Sequence, residues 1–226
     1  MTKAILFDAS TLISFSMNGI LYILEELKKS FNGKFIITKE VKYETIDRPL
    51  KIKRFKLEAL KLNELLKKGV LEMPSVFNIN EEEISKRTQK ILDIANSMYQ
   101  GKSGDIHLLD LGEASCLELS KMLNDKKIPN VIATDERTTR MLAEKPENLK
   151  KLLQKKLHSK ISYDKEKAKH FKPIKIIRST EIAYVAYKKG LTKLKGKQSL
   201  DALLFALKFK GCSISHEEIE EIEKLG

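Results

Sequence analysis

Ala4-Ile5-Leu6-Phe7-Asp8-Ala9-Ser10-Thr11-Leu12-Ile13 decides the fold class. Its first four residues are apolar without alternation, the pattern of a strand buried on both faces, as in parallel sheets. The run ends in a carboxylate, and Ser10 and Thr11 offer the hydroxyls that start a helix. Working outward, Ile20, Leu21, Ile23, Leu24 and Leu27 recur at helical spacing, with Lys28 and Lys29 in the last turn. Asn32-Gly33 stops that helix. Lys34–Thr38 reads as a second strand, and a short helix with Val41, Glu44 and Thr45 ends near Arg48-Pro49.

The alternation continues. Residues 50–68 are helical in pattern, residues 69–74 read as a helix stop and a short strand, and residues 81–99 as a charged amphipathic helix. Residues 101–104 read as a loop. A helix runs from Asp110 to Leu123, a strand from Val131 to Thr134 ends in Asp135, and another helix starts at about Glu136. A late strand at 174–177 precedes helices at about 180–189, 197–210 and 216–224. Strands alternating with helices imply an α/β fold whose parallel sheet is covered on both faces. The expected organisation is a single domain over 1–226, with a helical insertion at about 50–105 and a basic insertion at about 145–172.

Composition narrows the function classes. The chain has 226 residues, 42% hydrophobic and 33% charged, enough apolar character for a buried core and against disorder. No apolar run reaches the ~20 residues of a membrane helix, so no membrane partner is expected. The N-terminal apolar stretch is too short for a signal peptide. Cys116 and Cys212 form no disulfide or metal framework and read as buried small hydrophobes in a reduced cytoplasm. The net charge of +12 suits a polyanion, because neutralising phosphates releases counterions. Residues 145–175 concentrate eleven Lys against three acids, with Lys150, Lys151, Lys155, Lys156 and Lys160 as candidate nucleic-acid contacts. The competing reading of these lysines is a solvated surface.

Three carboxylates stand at comparable positions. Asp8 and Asp135 each end a strand, and Glu113 lies in the first turn of the helix beginning at Asp110. In open α/β sheets ligands bind beyond the carboxyl ends of the strands, where acids distant in sequence converge. Converging carboxylates repel one another, a penalty that a divalent cation removes. Oxygen ligands of this kind suit Mg²⁺ or Mn²⁺. Each acid also has a structural reading: Asp8 and Asp135 as helix N-caps, and Asp110-Leu-Gly-Glu113 as a capping box. Asp201 reads as a first-turn helix charge. No histidine pairing, Gly-rich phosphate loop or nucleophile triad stands out.

Four segments carry a family resemblance. They are Ile5 to Ile13; Ile37-Thr38-Lys39-Glu40-Val41-Lys42-Tyr43-Glu44; Leu109-Asp110-Leu111-Gly112-Glu113-Ala114-Ser115; and Ala133-Thr134-Asp135-Glu136-Arg137. Their order and spacing resemble the PIN-domain nucleases, the fold that includes the VapC-type toxin ribonucleases, in a subgroup with a Gly-Glu-Ala motif. The segments Ile177 to Thr180, Ala186 to Gly190 and Leu207 to Ser215 resemble the end of the same subgroup. The resemblance implies an α/β/α sandwich of PIN type and a metal-dependent endoribonuclease. It implies Asp8, Glu113 and Asp135 as metal-binding acids, Glu44 as a fourth catalytic acid, and Ser10 and Thr134 as hydroxyls supporting them. The core is longer than in the small toxins, and Glu113 stands where many members carry Asp. The resemblance further implies RNA as substrate, Mg²⁺ or Mn²⁺ as cofactor, and, as partners, a protein inhibitor or antitoxin or a second copy in a homodimer. Two alternatives stand beside it: a non-catalytic PIN-fold protein that binds RNA or serves assembly, and a haloacid-dehalogenase-like phosphatase. The latter calls for a second Asp two residues after the first, where this chain has Ser10. The nuclease reading expects the carboxylates of Asp8, Glu113 and Asp135 to face one pocket at the carboxyl edge of the sheet.

Overall fold

The computed structural model describes residues 2–102 and 104–225. The opening apolar run forms β1 (Lys3–Phe7), and α1 (Ala9–Met17) begins two residues later, with the Asp8 carboxylate accepting from the Ser10 N–H at 3.4 Å. Leu6 and Phe7 point to opposite faces of the strand and are both fully buried, so both faces of the sheet are covered here. The first expected helix is divided in two. Gly19, at φ +67°, turns the chain between α1 and α2 (Tyr22–Ser30). β2 (Gly33–Ile36) then runs parallel to β1.

Thr38 caps the short α3 (Lys39–Lys42) by accepting from the Val41 N–H at 3.2 Å, and the chain continues as a π-helical turn, Tyr43–Asp47. The helical pattern of 50–68 resolves into a short 3-10 turn at Pro49–Lys51 and α4 (Lys56–Lys67). The strand expected near residues 69–74 reduces to one parallel bridge, Glu72 beside Ile36, held by Glu72 N–H to Phe35 O (2.8 Å) and Ile37 N–H to Glu72 O (3.0 Å). α5 (Glu81–Asn96) opens with three glutamates, which suit the positive end of its dipole.

The expected loop at 101–104 instead joins two short antiparallel strands, β3 (Tyr99–Gly101) and β4 (Gly104–Asp105); Ser103 lies outside the described residues. α6 (Leu111–Asp125) follows, then β5 (Asn130–Ala133), α7 (Arg137–Glu144) and α8 (Pro146–Leu157). β6 (Ser162–Tyr163) pairs with β3, stacking Tyr99 on Tyr163 at 5.2 Å between ring centroids. α9 (Lys165–Ala168), β7 (Ile176–Ile177), α10 (Ser179–Lys188), α11 (Lys197–Phe209) and α12 (His216–Lys224) complete the chain.

The main sheet has the order β2-β1-β5-β7, all parallel, and the small second sheet the order β4-β3-β6. Ile84, Ile91 and Tyr99 from the first insertion segment and Leu149, Leu153 and Phe171 from the basic one belong to the same buried cluster as β1. The second sheet ties the two segments to each other. Both cysteines are buried and free. Among the described residues no helix is long and apolar enough to cross a membrane.

Candidate functional site

Parallel strands end on one edge, and here β1, β5 and β7 each run into polar residues. Asp8 follows β1, Thr134 and Asp135 follow β5, and Ser179 follows β7. Since β1, β5 and β7 are neighbours in that order, these residues lie side by side.

Asp8 is only 2% exposed. Its Oδ2 accepts from the hydroxyls of Ser10 (2.6 Å) and Thr134 (2.9 Å). Its Oδ1 is buried with no hydrogen-bond partner. Burial raises the Asp8 carboxyl above its ordinary range although the hydroxyls and nearby N–H groups pull the other way. Ser10 Oγ also accepts from the Asp135 N–H at 3.0 Å, so one hydroxyl links the ends of β1 and β5. Ser10 and Thr134 are thus the two hydroxyls that hold Asp8.

Three further carboxylates feel the charge of Asp8. Glu113, in the first turn of α6, accepts from the Asp110 N–H at 2.9 Å and from the Thr139 hydroxyl of α7. Burial first and the Asp8 charge second push its carboxyl up to about 8. Glu44, on the π-helical turn, accepts from the Gly112 N–H at 3.2 Å and is also raised, by burial and then by Asp8. A β-carbon built on Gly112 would lie 2.6 Å from Glu44 Oε2, so the glycine of Gly-Glu-Ala is what lets Glu44 come this close. Glu136, next along the chain from Asp135, is raised by desolvation and then by the charges of Asp8 and Asp135.

Asp135 has a different environment. Its Oδ1 accepts from the Ser179 N–H at 2.8 Å, so it caps α10 from the end of a neighbouring strand. It also adds to the burial that pushes the Cys212 thiol up to about 12. Its Oδ2 is buried and unpartnered, like Asp8 Oδ1. The structure therefore brings Asp8, Glu44 and Glu113 together, adds Glu136, and engages one oxygen of Asp135 elsewhere. Sequence reading missed Glu136. The one signal was the adjacent acid pair Asp135-Glu136 at a strand end, and it does not tell which side chain turns toward Asp8.

The remaining expected residues lie apart. Lys151, Lys155 and Lys156 are exposed on α8 and Lys150 is half-buried there, while Lys160 is exposed just beyond the helix. Beside Glu44 a groove of about 880 Å³ opens past Tyr43, His107 and Asp110, and His107 Nε2 is 3.0 Å from Asp110 Oδ1. By donor chemistry the cluster fits a hard divalent cation: carboxylate oxygens, one of them buried and unpartnered, in mutual repulsion. It is not a closed cage, for among the described residues no three His, Cys, Asp or Glu side chains are arranged to hold an ion as they stand. The chain matches no family model, no curated protein and no solved structure.

Proposed function

We propose that this protein is a PIN-type, metal-dependent endoribonuclease that hydrolyses RNA phosphodiesters. The observation that carries the reading is Asp8: a fully buried carboxylate at the carboxyl edge, with one oxygen fixed by two hydroxyls and the other left without a partner. A buried, unpartnered carboxylate oxygen calls for a cation or water. Asp8 and Glu113 would hold Mg²⁺ or Mn²⁺, with Glu44 and Glu136 completing the acidic surround. Such an ion, when bound, supplies an activated water and offsets charge on the phosphodiester.

The chain's own groups do the rest. Ser10 and Thr134 orient Asp8 through Oδ2. Thr139 and the Asp110 N–H orient Glu113, whose carboxyl is pushed up to about 8 by burial and the Asp8 charge and would give up its proton on holding a cation. Asp135 serves as a strut between β5 and α10 and keeps one oxygen, Oδ2, available. The α8 lysines follow the RNA backbone by phosphate contacts, which position but do not specify. The phosphatase alternative gains nothing, because Ser10, where that chemistry needs a second acid, is a donor to Asp8.

One observation favours the second reading, a PIN-fold protein that binds RNA or serves assembly without turnover: no three ligands stand ready around an ion among the described residues. The test separates the two. Mixed single-stranded and structured RNA is incubated at low salt with wild type and Asp8→Asn, with Mn²⁺ or Mg²⁺ and with EDTA. The nuclease reading expects metal-dependent cleavage that falls about 1,000-fold in Asp8→Asn, about 4 kcal/mol of transition-state stabilisation. No cleavage by wild type, with equal salt-sensitive RNA binding by both proteins, would establish the binding reading in its place.

A further inference from the structure

Helix α7 connects the acid cluster to a second feature. The carboxyl of Glu136, the residue before the helix, is raised by burial and then by the charge of Asp8, and Thr139 of the helix donates to Glu113. On another face Arg137, Arg140, Met141 and Glu144 recur at i, i+3, i+4 and i+7 and line a cavity of about 370 Å³. Lys145 and Arg178 also line it.

The four cations there are not equivalent. Arg178 is buried and committed: it donates to Glu181 Oε1 at 2.8 Å, to Glu218 Oε1 at 2.9 Å and to the Ser213 carbonyl at 3.2 Å. That network fixes the cavity wall and uses up Glu181 and Glu218. Arg140 is a loose ion-pair partner of Glu218 at 4.0 Å, beyond hydrogen-bond reach, so among the described residues its N–H donors make no side-chain hydrogen bond. Arg137 is exposed at the first position of α7 and has no ion-pair partner among the described residues. Glu144, at the far end of the helix, is the one acid of the wall not bound by Arg178. Two guanidinium groups with open donors, a turn apart on one helix face, match the oxygens of a phosphate, which arginine can bind in bidentate fashion.

We infer that Arg137 and Arg140 form a phosphate subsite, which receives a backbone phosphate of RNA flanking the one at the acid cluster. The inference rests on the RNA reading above and adds to it the direction of the strand, from the carboxyl edge along α7 toward Lys145 and α8. It makes the arginines, rather than the lysines of α8, the principal ionic contacts near the chemistry.

The experiment is the salt dependence of binding to a labelled single-stranded RNA 20-mer, with EDTA to prevent turnover. It compares wild type, Arg137→Ala and Arg137→Ala/Arg140→Ala. Each phosphate contact contributes about 0.7 to the slope of log affinity against log salt for a single strand. The slope should fall by about 0.7 in the single variant and about 1.4 in the double. Affinity at 0.1 M salt should fall about tenfold in the double variant. The single variant, at an exposed helix start, keeps the test valid if the double variant misfolds. Wild-type binding with slopes unchanged in the variants overturns the subsite alone. No RNA binding by wild type overturns the subsite and the RNA reading together. Changed slopes in a protein that never cleaves RNA support the subsite and remove only the nuclease.

Discussion

Two charged regions meet at α7, and they are built on opposite terms. Asp8, Glu113 and Glu44 at the carboxyl edge are buried or half-buried and held by named donors, Ser10 and Thr134 on Asp8, Thr139 on Glu113 and the Gly112 N–H on Glu44, with Glu136 exposed beside them. The lysines of α8 project from a surface helix. Burying a carboxylate is costly unless it is paired, so each acid position is singular and its neighbours are tuned to it. An exposed lysine is screened by salt and is worth little alone, so lysines act by number and are largely interchangeable. The difference teaches where single substitutions should matter. At the acid edge one atom changes the state of the site. On the basic face only sums of charge are felt.

The sharpest way to break this contrast is through pH. Glu113 sits at about 8 in the folded protein against about 4.5 in an unfolded chain, and Asp8, Glu44 and Glu136 shift in the same direction. Between those two values the folded state keeps a proton that the unfolded state has released. Its contribution to stability is therefore complete below pH ~4.5 and is lost as pH rises through about 8, at roughly 1.4 kcal/mol per pH unit for each such proton. With EDTA present, the melting temperature should be about 5–10 °C lower at pH 8 than at pH 5.5. Mn²⁺ added at pH 8 should recover most of that loss by taking the place of the protons. A melting temperature that is flat with pH, and indifferent to Mn²⁺, would mean that the acids do not form one electrostatic unit.

Much of the edge is legible in the sequence because short-range chemistry dictates it. The unbroken run Ala4–Phe7 specifies a strand buried on both faces, and Asp8 with Ser10 two residues on specifies a carboxylate with its own hydroxyl. Gly112 enters the sequence reading only as part of the Gly-Glu-Ala motif, and that it makes room for Glu44 is not readable locally. What the sequence conceals is direction and distant pairing. Asp135 and Glu136 are adjacent acids at one strand end, and the choice between them is made by the Ser179 N–H, contributed by the start of α10. The second sheet is not legible in the sequence because β3, β4 and β6 have only 3, 2 and 2 residues, too few to show a period, and β3 finds its partner across several helices. The basic insertion reads as an appendage by composition, yet Leu149, Leu153 and Phe171 are core residues. Lysine content reports the outer face of a helix and says nothing of the face it buries.

A pair of substitutions at Asp135 sharpens the contrast within the acid edge itself. If Asp135 is a strut, Asp135→Asn keeps the acceptor for the Ser179 N–H and should cleave RNA within about threefold of wild type. Asp135→Ala leaves that buried N–H unpaired and should cost about 1–3 kcal/mol of stability, read by urea denaturation. A loss of cleavage in Asp135→Asn as deep as that in Asp8→Asn would instead make Asp135 a ligand through Oδ2, its unpartnered oxygen.

The smallest effect belongs to the basic face, and its smallness is the point. Lys155 and Lys156 are exposed in the last turn of α8, where positive charge suits the helix dipole by a few tenths of a kcal/mol. Lys155→Ala/Lys156→Ala should leave the melting temperature within about 1 °C and keep cleavage at saturating RNA unchanged. The salt slope of RNA binding should fall by about 0.7, less than for the arginine pair, because two mobile side chains on a solvated face share their phosphate contacts with neighbouring lysines. Lys151 and Lys160 would take over part of the loss. A slope reduced by the full ~1.4, or a drop in turnover at saturation, would mean that these lysines hold fixed phosphates as the arginines are inferred to do. The basic face would then be as singular as the acid edge.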